Sequence, residues 1–351
     1  MRELLPADLL WKQRLAGESL DRAAAREFAT FALDRVSRTF ALNIRVLPAR
    51  LRDPVLHAYL YCRMADTIED DAMLPVADKS VLLRAFSALF DENRPESEAL
   101  AAFAAFPALL PPDWHGTDDW EKILLERAPV VLRAFTTYPP PVRAAIARCV
   151  TEMCAGMEEF ATKKDIGSVT ELDRYCYYVA GTVGVMLCEL FIDHAHLPRE
   201  RADKMRALCV SFGLGLQMTN ILKDRRDDRE RGISWLPPGV SLESLFAKTR
   251  RHLEEALDYT CLIPRRQRAL RLFCLWPLFM AAETLALLAR NADAPEDAAR
   301  LKISRGRVAR ILLRTRLTGF SNTWLRADFR AAIRGVPAAP LPFPPSPDTF
   351  T

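Results

Sequence analysis

Glycine is scarce, 13 of 351 residues, and that scarcity disfavours a turn-rich β architecture. Alternating β-branched stretches bounded by hairpin turns are also missing, so the sequence predicts an all-α fold. The eight cysteines (Cys62, Cys149, Cys154, Cys176, Cys188, Cys209, Cys261, Cys274) include no CxxC pair and no regular spacing. They read as small core residues in a reducing compartment, which removes a disulfide scaffold and a zinc ribbon. The histidines, His57, His115, His194, His196 and His252, form no HExxH motif and sit in no catalytic-triad context, so zinc hydrolysis is disfavoured. The N-terminal stretch lacks the continuous apolar core and small-residue cleavage site of a secretory leader. The longest apolar run, residues 272–289, is interrupted by Pro277 and carries Glu283. It predicts a buried bundle helix rather than a bilayer span.

What is present is half hydrophobic, 50% of residues, with 27% charged. Such a chain supports a large packed core and is neither disordered nor fibrous. The net charge of +4, from 49 basic and 45 acidic residues, is too balanced to mark a nucleic-acid binder. Its distribution is uneven: residues 300–334 hold ten Lys or Arg against one acid, Asp328. A segment of that kind is a solvated face, an anion site or a contact for an acidic membrane surface. Six prolines crowd the last fifteen residues, which forbids a terminal helix or helical membrane anchor there. One all-α domain over residues 1–335 followed by a proline-rich tail, 336–351, is the simplest organisation. Within it, Asp53-Pro54 predicts a helix start, and Pro198 and Gly232 bracket a helix of some thirty residues. Further helices are expected over 242–262, 264–290 and 304–333.

The chemistry is concentrated in two acidic clusters. In DTIEDD, residues 66–71, Asp66 and Asp70 lie one helical turn apart with Glu69 beside them, and Arg63 and Tyr59 continue the stripe. Like charges at that spacing, close to a helix C-terminus, are locally unfavourable, and a bridging cation would reverse the effect. The second stripe runs Gln217, Asn220, Asp224 and Asp228, at steps of three, four and four. Oxygen donors of this type suit Mg²⁺, which completes its shell with water and substrate phosphate. Two such sites point to ionisation of a carbon–oxygen bond to diphosphate.

The chain further resembles the squalene/phytoene synthase family through a series of blocks in the family's order. These are VSRTF (36–40), YLYCRMADTIEDD (59–71), MCAGMEEF (153–160), DRYCYYVAGTVG (173–184), LQMTNILKDRRDDRERGISWLP (216–237), FCLWP (273–277) and LKISRG (301–306). The resemblance implies an isoprenoid-synthase helical bundle around a central cavity. It implies head-to-head condensation of two farnesyl diphosphates to presqualene diphosphate, then NADPH-dependent rearrangement to squalene. By the same likeness Asp66, Glu69 and Asp70 bind one Mg²⁺ set, and Asn220, Asp224 and Asp228 another. Tyr175 matches a tyrosine placed near the proton-loss step, while Ser37, Phe40, Tyr59, Gln217 and Asn220 contact substrate. Arg38, Arg63, Lys223, Lys302 and Arg305 match positions expected to touch NADPH. Gly181 and Gly184 are expected to let a helix bend, pass a prenyl chain or pack closely. A cytoplasmic enzyme with peripheral membrane contact, and without an anchoring helix, follows from the lipid-like substrate and the proline tail. Two other outcomes compete: a prenyltransferase that stops at presqualene diphosphate or makes a dehydrosqualene- or phytoene-type product, and a noncatalytic helical assembly protein.

Overall fold

In the computed structural model the described residues are 6–17, 20–111, 114, 119–163, 165–232, 234–292 and 301–338. Among them the regular structure is helical, without strands, and Asp165 and Ser234 form an isolated bridge. Backbone contacts divide the chain into two compact units, residues 1–44 with 52–161 and residues 45–51 with 162–351.

The first unit contains α1 (Pro6–Gly17), α2 (Arg22–Val36), α5 (Val76–Ser87), α6 (Glu96–Ala105), α7 (Asp119–Glu126), α8 (Ala128–Leu132) and α9 (Pro140–Phe160). Two further helices, α3 (Arg38–Val46) and α4 (Ala49–Asp70), carry the chain across the boundary at residues 45–51. An aromatic cluster fills its core: Phe90 meets Tyr61, Phe86 and Phe135 at centroid distances of 5.1, 5.3 and 5.2 Å. All four side chains are buried, each contributing about 1.5–3 kcal/mol relative to exposure. The expected start of α4 at Asp53-Pro54 is corrected here. The helix begins at Ala49, where Leu51 N–H bonds the Pro48 carbonyl, and Pro54 is carried inside it. The Asp53 carboxylate is instead engaged by Arg26 of α2, 2.9 Å away, while the Asp53 carbonyl lies 2.8 Å from Nδ1 of His57 one turn further along α4. At the other end, Asp71 is buried and its carboxylate accepts the Met73 and Leu74 N–H groups at 2.7 and 3.0 Å. The last acid of DTIEDD thus ends the helix.

The second unit contains α10 (Val169–Cys176), α11 (Thr182–Ala195), α12 (Arg199–Glu230), α13 (Leu242–Leu262), α14 (Arg268–Arg290), α15 (Arg305–Thr318) and α16 (Asn322–Ala332). A π-helical turn, Tyr177–Gly181, joins α10 to α11. Of the alternatives expected for Gly181 and Gly184, close packing is the one seen, and the helix passes through Gly181 with ordinary right-handed dihedrals. A Cβ on Gly184 would stand 2.4 Å from the Cys209 carbonyl oxygen, and one on Gly213 would stand 2.2 Å from that of Ala180. Backbone therefore lies against backbone along α12. The α14 helix starts at Arg268, later than expected, because Pro264 and Gln267 close a turn first, with a 2.8 Å hydrogen bond. The expected helix over 304–333 is two helices. Arg271, fully buried on α14, donates to Gly319 O at 2.7 Å, Ile263 O at 2.8 Å and Asn322 Oδ1 at 2.6 Å. With the Gly319 carbonyl taken, α15 ends, and Ser321 opens α16 by accepting the Trp324 N–H.

Residues 169–195 and 268–290 are long and apolar enough to cross a membrane by length and composition. In α14, however, Arg271 is buried with each of its three guanidinium nitrogens hydrogen-bonded, which belongs to a protein interior, as expected for a bundle helix. All eight cysteines are free, and seven are buried. Of the proline-rich tail, residues 339–351 lie outside the described residues.

Candidate active site

The acids of α4 lie on its last two turns. Arg63 bridges two carboxylates, with Nη1 3.7 Å from Asp66 Oδ2 and 3.6 Å from Glu121 Oε1 on α7. Its other terminal nitrogen donates to the Tyr59 hydroxyl at 3.4 Å, and the Tyr59 ring lies 5.3 Å from that of Phe40. The predicted stripe Tyr59–Arg63–Asp66–Asp70 is therefore present on one helix face. Asp66 sits in a recess: its side chain keeps 31% of its exposure, yet the surrounding protein penalises its charge. Burial pushes its carboxyl up to about 7; Arg63 opposes this, while Asp70 and Glu121 reinforce it. Burial raises Glu69 to about 8, aided by repulsion from Asp70 and Asp66 and opposed by Lys79. Asp70 is exposed. A divalent cation at this face would relieve the carboxylate repulsion that adds to burial in raising both groups.

On α12, Gln217, Asn220, Asp224 and Asp228 share a face by their spacing. Lys223 is already engaged with two of them, its Nζ 3.1 Å from Asp224 Oδ2 and 3.2 Å from Asn220 Oδ1. Asp228 lines a small cleft with Arg225, Ser234 and Trp235. Trp235 also stacks on Tyr175, with ring centroids 4.2 Å apart and planes inclined by 10°. Two residues before Tyr175, Asp173 pairs with the buried Lys248 of α13 at 2.9 Å. These contacts bring Tyr175 and the loop beside Asp228 together in one unit.

The remaining predicted residues are more dispersed. The Ser37 hydroxyl accepts the Phe40 N–H at 3.1 Å and joins α2 to α3. Arg38 opens α3, and its side chain lies outside the described residues. Lys302 and Arg305 are exposed at the start of α15, whose N-terminus is capped by Ser304. Open helix N–H groups beside two cations suit a phosphate. Sequence reading missed Glu121, Trp235 and Lys248. Only Trp235 lay inside a recognised block, and tertiary contact alone brings the other two to the site.

A separate cavity of about 660 Å³ opens at the Asp53 end of α4, lined in part by His57, Phe103, Arg133 and Tyr138. It includes no acid of either cluster. Among the described residues, no group of three His, Cys, Asp or Glu side chains is gathered to hold an ion by itself. Mg²⁺ rarely uses an all-protein cage; it binds through one or two carboxylates plus waters and phosphate. The all-oxygen donors, with the raised Asp66 and Glu69, fit that mode.

The squalene/phytoene synthase model matches residues 33–241. The chain is 30% identical to squalene synthase of Solanum lycopersicum over 346 residues, covering 89% of this chain and 77% of the relative. Identity to squalene synthase of Rattus norvegicus is 28% over 305 residues, 80% of this chain and 67% of that one. Among solved structures, TcSQS in complex with E5700 matches with a TM-score of 0.70 at 26% identity, covering 89% of this chain and 98% of the other. A dehydrosqualene synthase in complex with a ligand shares the fold at 22% identity and a TM-score of 0.56, over 86% of this chain and 97% of that one. With its all-α fold and both acidic blocks inside the matched span, this chain is an enzyme belonging to the squalene/phytoene synthase family.

Proposed function

We propose that the enzyme condenses two farnesyl diphosphates head to head into presqualene diphosphate and converts this to squalene with NADPH. The observation that carries the reading is the pair of complete oxygen-donor clusters, Asp66–Glu69–Asp70 on α4 and Asn220–Asp224–Asp228 on α12, in a member of this family. Bound Mg²⁺, held by these residues, would supply positive charge to a departing diphosphate. Arg63 and Lys223, each lying against the carboxylates of one cluster, keep a cation beside the acids where that anion would bind.

In the first half-reaction one C1–O bond breaks, and the allylic cation adds to the double bond of the second substrate. Loss of a proton then closes the cyclopropane. Tyr175 suits that step in two ways, since its hydroxyl can pass a proton and its π face, backed by Trp235, can stabilise positive charge. In the second half-reaction the carbon–oxygen bond of presqualene diphosphate breaks, the second diphosphate leaves, and the rearranged cation is quenched; bound NADPH would supply the hydride, with Lys302 and Arg305 at the capped start of α15 holding its phosphates. The reading treats residues 1–335 as one catalytic domain of a cytoplasmic enzyme working against a membrane surface, as a lipid-like product requires.

The test is incubation of purified protein with farnesyl diphosphate and Mg²⁺, with and without NADPH, followed by product identification. Squalene that forms only with NADPH is expected. A hydroxylated or dehydro product in both arms would overturn the reductive half, and no consumption of substrate would overturn the whole reading.

A further inference from the structure

Four large apolar side chains near the end of the described chain stand in solvent: Leu313, Leu317, Phe320 and Trp324, each 51–65% exposed. A single exposed leucine needs no explanation. These four follow one another at steps of four, three and four, through α15, the turn and the start of α16. Ile311 and Thr315 are the buried residues of α15. At 100° per residue, Leu313 and Leu317 therefore point to the opposite side of the helix. Exposed Arg310 and Arg316 flank them on either edge. The α15 helix thus has two apolar faces, and only one is packed in the fold.

The charge around this face identifies the chemistry of its partner. Glu283, Asp328 and Asp258 pair with Arg307, Arg314 and Arg326, and seven of the ten basic side chains of residues 300–334 lie outside these three pairs. A second copy docking through the same face would bring arginine against arginine. An anionic bilayer accepts both components, since apolar side chains reach the headgroup boundary while guanidinium groups pair with lipid phosphates. We infer that α15, the Phe320 turn and the start of α16 form a docking surface for an anionic phospholipid bilayer. Leu313, Leu317, Phe320 and Trp324 are the inserting side chains, and Arg310 and Arg316 the headgroup contacts. The inference deepens the membrane contact of the reading above and rests on it for its purpose. Its test reads vesicle binding without turnover, so the two fail separately.

The experiment is co-sedimentation of the full chain with phosphatidylcholine vesicles, with and without phosphatidylglycerol, at low and high salt. Binding that needs phosphatidylglycerol and weakens in salt is expected. The double substitution Leu313→Ser/Leu317→Ser should weaken it about tenfold or more, and Arg310→Glu about fivefold or more. Both variants should keep wild-type far-UV circular dichroism and wild-type turnover of detergent-dispersed farnesyl diphosphate. The proposal is overturned by absence of binding to phosphatidylglycerol vesicles or by undiminished binding of the double variant. It is equally overturned by a wild-type dimer in solution that the double variant dissociates, which would mean that a second copy covers this face.

Discussion

Tyr175 lies flat against Trp235, the rings 4.2 Å apart and nearly parallel, so the loop after α12 backs the tyrosine to which proton transfer is assigned. The two substitutions separate support from chemistry. Tyr175→Phe keeps the stack and removes the hydroxyl; a hydroxyl that carries the proton makes presqualene diphosphate formation slower by about 10²-fold or more. Trp235→Leu keeps the hydroxyl and removes its backing, and is expected to slow the same step by about tenfold. Single-turnover formation of presqualene diphosphate without NADPH measures both. An unchanged first-step rate in Tyr175→Phe rejects the hydroxyl role.

The acidic clusters give a second expectation. Asp70→Asn and Asp224→Asn each remove one negative oxygen donor with almost no change of shape. Turnover should fall by about 10²-fold or more in each, while far-UV circular dichroism stays at the wild-type level. In Asp224→Asn the charge partner of Lys223 is also lost, so calorimetric titration with Mg²⁺ and inorganic diphosphate should show weaker heats than in wild type. Full activity in either variant refutes the metal assignment.

The contrast between these clusters and the rest of the site shows what a sequence can carry. Helices bounded by local signals were legible, among them α12 between Pro198 and Gly232 and α13 over 242–262. So was the α4 stripe, because spacings of three and four fix a helix face without any tertiary knowledge. The starts of α4 and α14 were shifted by local turns at Pro48 and Pro264, whereas the largest error arose where a distant residue took over a backbone group. The C-terminal segment splits because Arg271 claims the Gly319 carbonyl, and nothing within residues 304–333 announces that contact. Glu121 beside Arg63 and Lys248 beneath Asp173 were invisible for the same reason. Asp71 shows the converse, since sequence groups it with the acids whereas the fold spends its carboxylate on two backbone N–H groups.

A pH dependence follows from His252, which is buried on α13 with its Nδ1 3.2 Å from the Ser211 hydroxyl, itself a donor to Glu255. Burial lowers this imidazole to about 3 from an ordinary value of 6.5, and the nearby Lys248 and Arg251 push in the same direction. The unfolded chain therefore binds the extra proton between those values. Stability from this group is complete above about pH 6.5 and is lost as pH falls toward 3. At pH 5 the loss amounts to about 2 kcal/mol relative to pH 7. The raised Asp66 and Glu69 change stability in the opposite sense over this range, so the contribution of His252 is read as a difference by denaturant unfolding. Between pH 7 and pH 5 the change in unfolding free energy of His252→Gln should be more favourable to the acidic side than that of wild type by about 2 kcal/mol. Equal changes in the two proteins would remove that contribution.

Close approach of backbones predicts a reversal of sign at two helical glycines. Replacing a glycine inside a helix by alanine ordinarily stabilises by about 0.5–1 kcal/mol. At Gly306 on α15 the added methyl would meet no atom within 4 Å, so Gly306→Ala should raise stability by up to that amount. At Gly213 the methyl would lie 2.2 Å from the Ala180 carbonyl oxygen and 2.7 Å from the Gly181 nitrogen. Those are backbone atoms of the π-helical turn and cannot rotate away, so α12 must move from that turn, at about 1–3 kcal/mol. Gly213→Ala should therefore lower the melting temperature by a few degrees while Gly306→Ala raises it. The displaced turn begins two residues after Tyr175, so Gly213→Ala should also slow presqualene diphosphate formation and Gly306→Ala should not. Melting temperatures that shift in the same direction would show that contact with the turn is not what excludes a side chain at position 213.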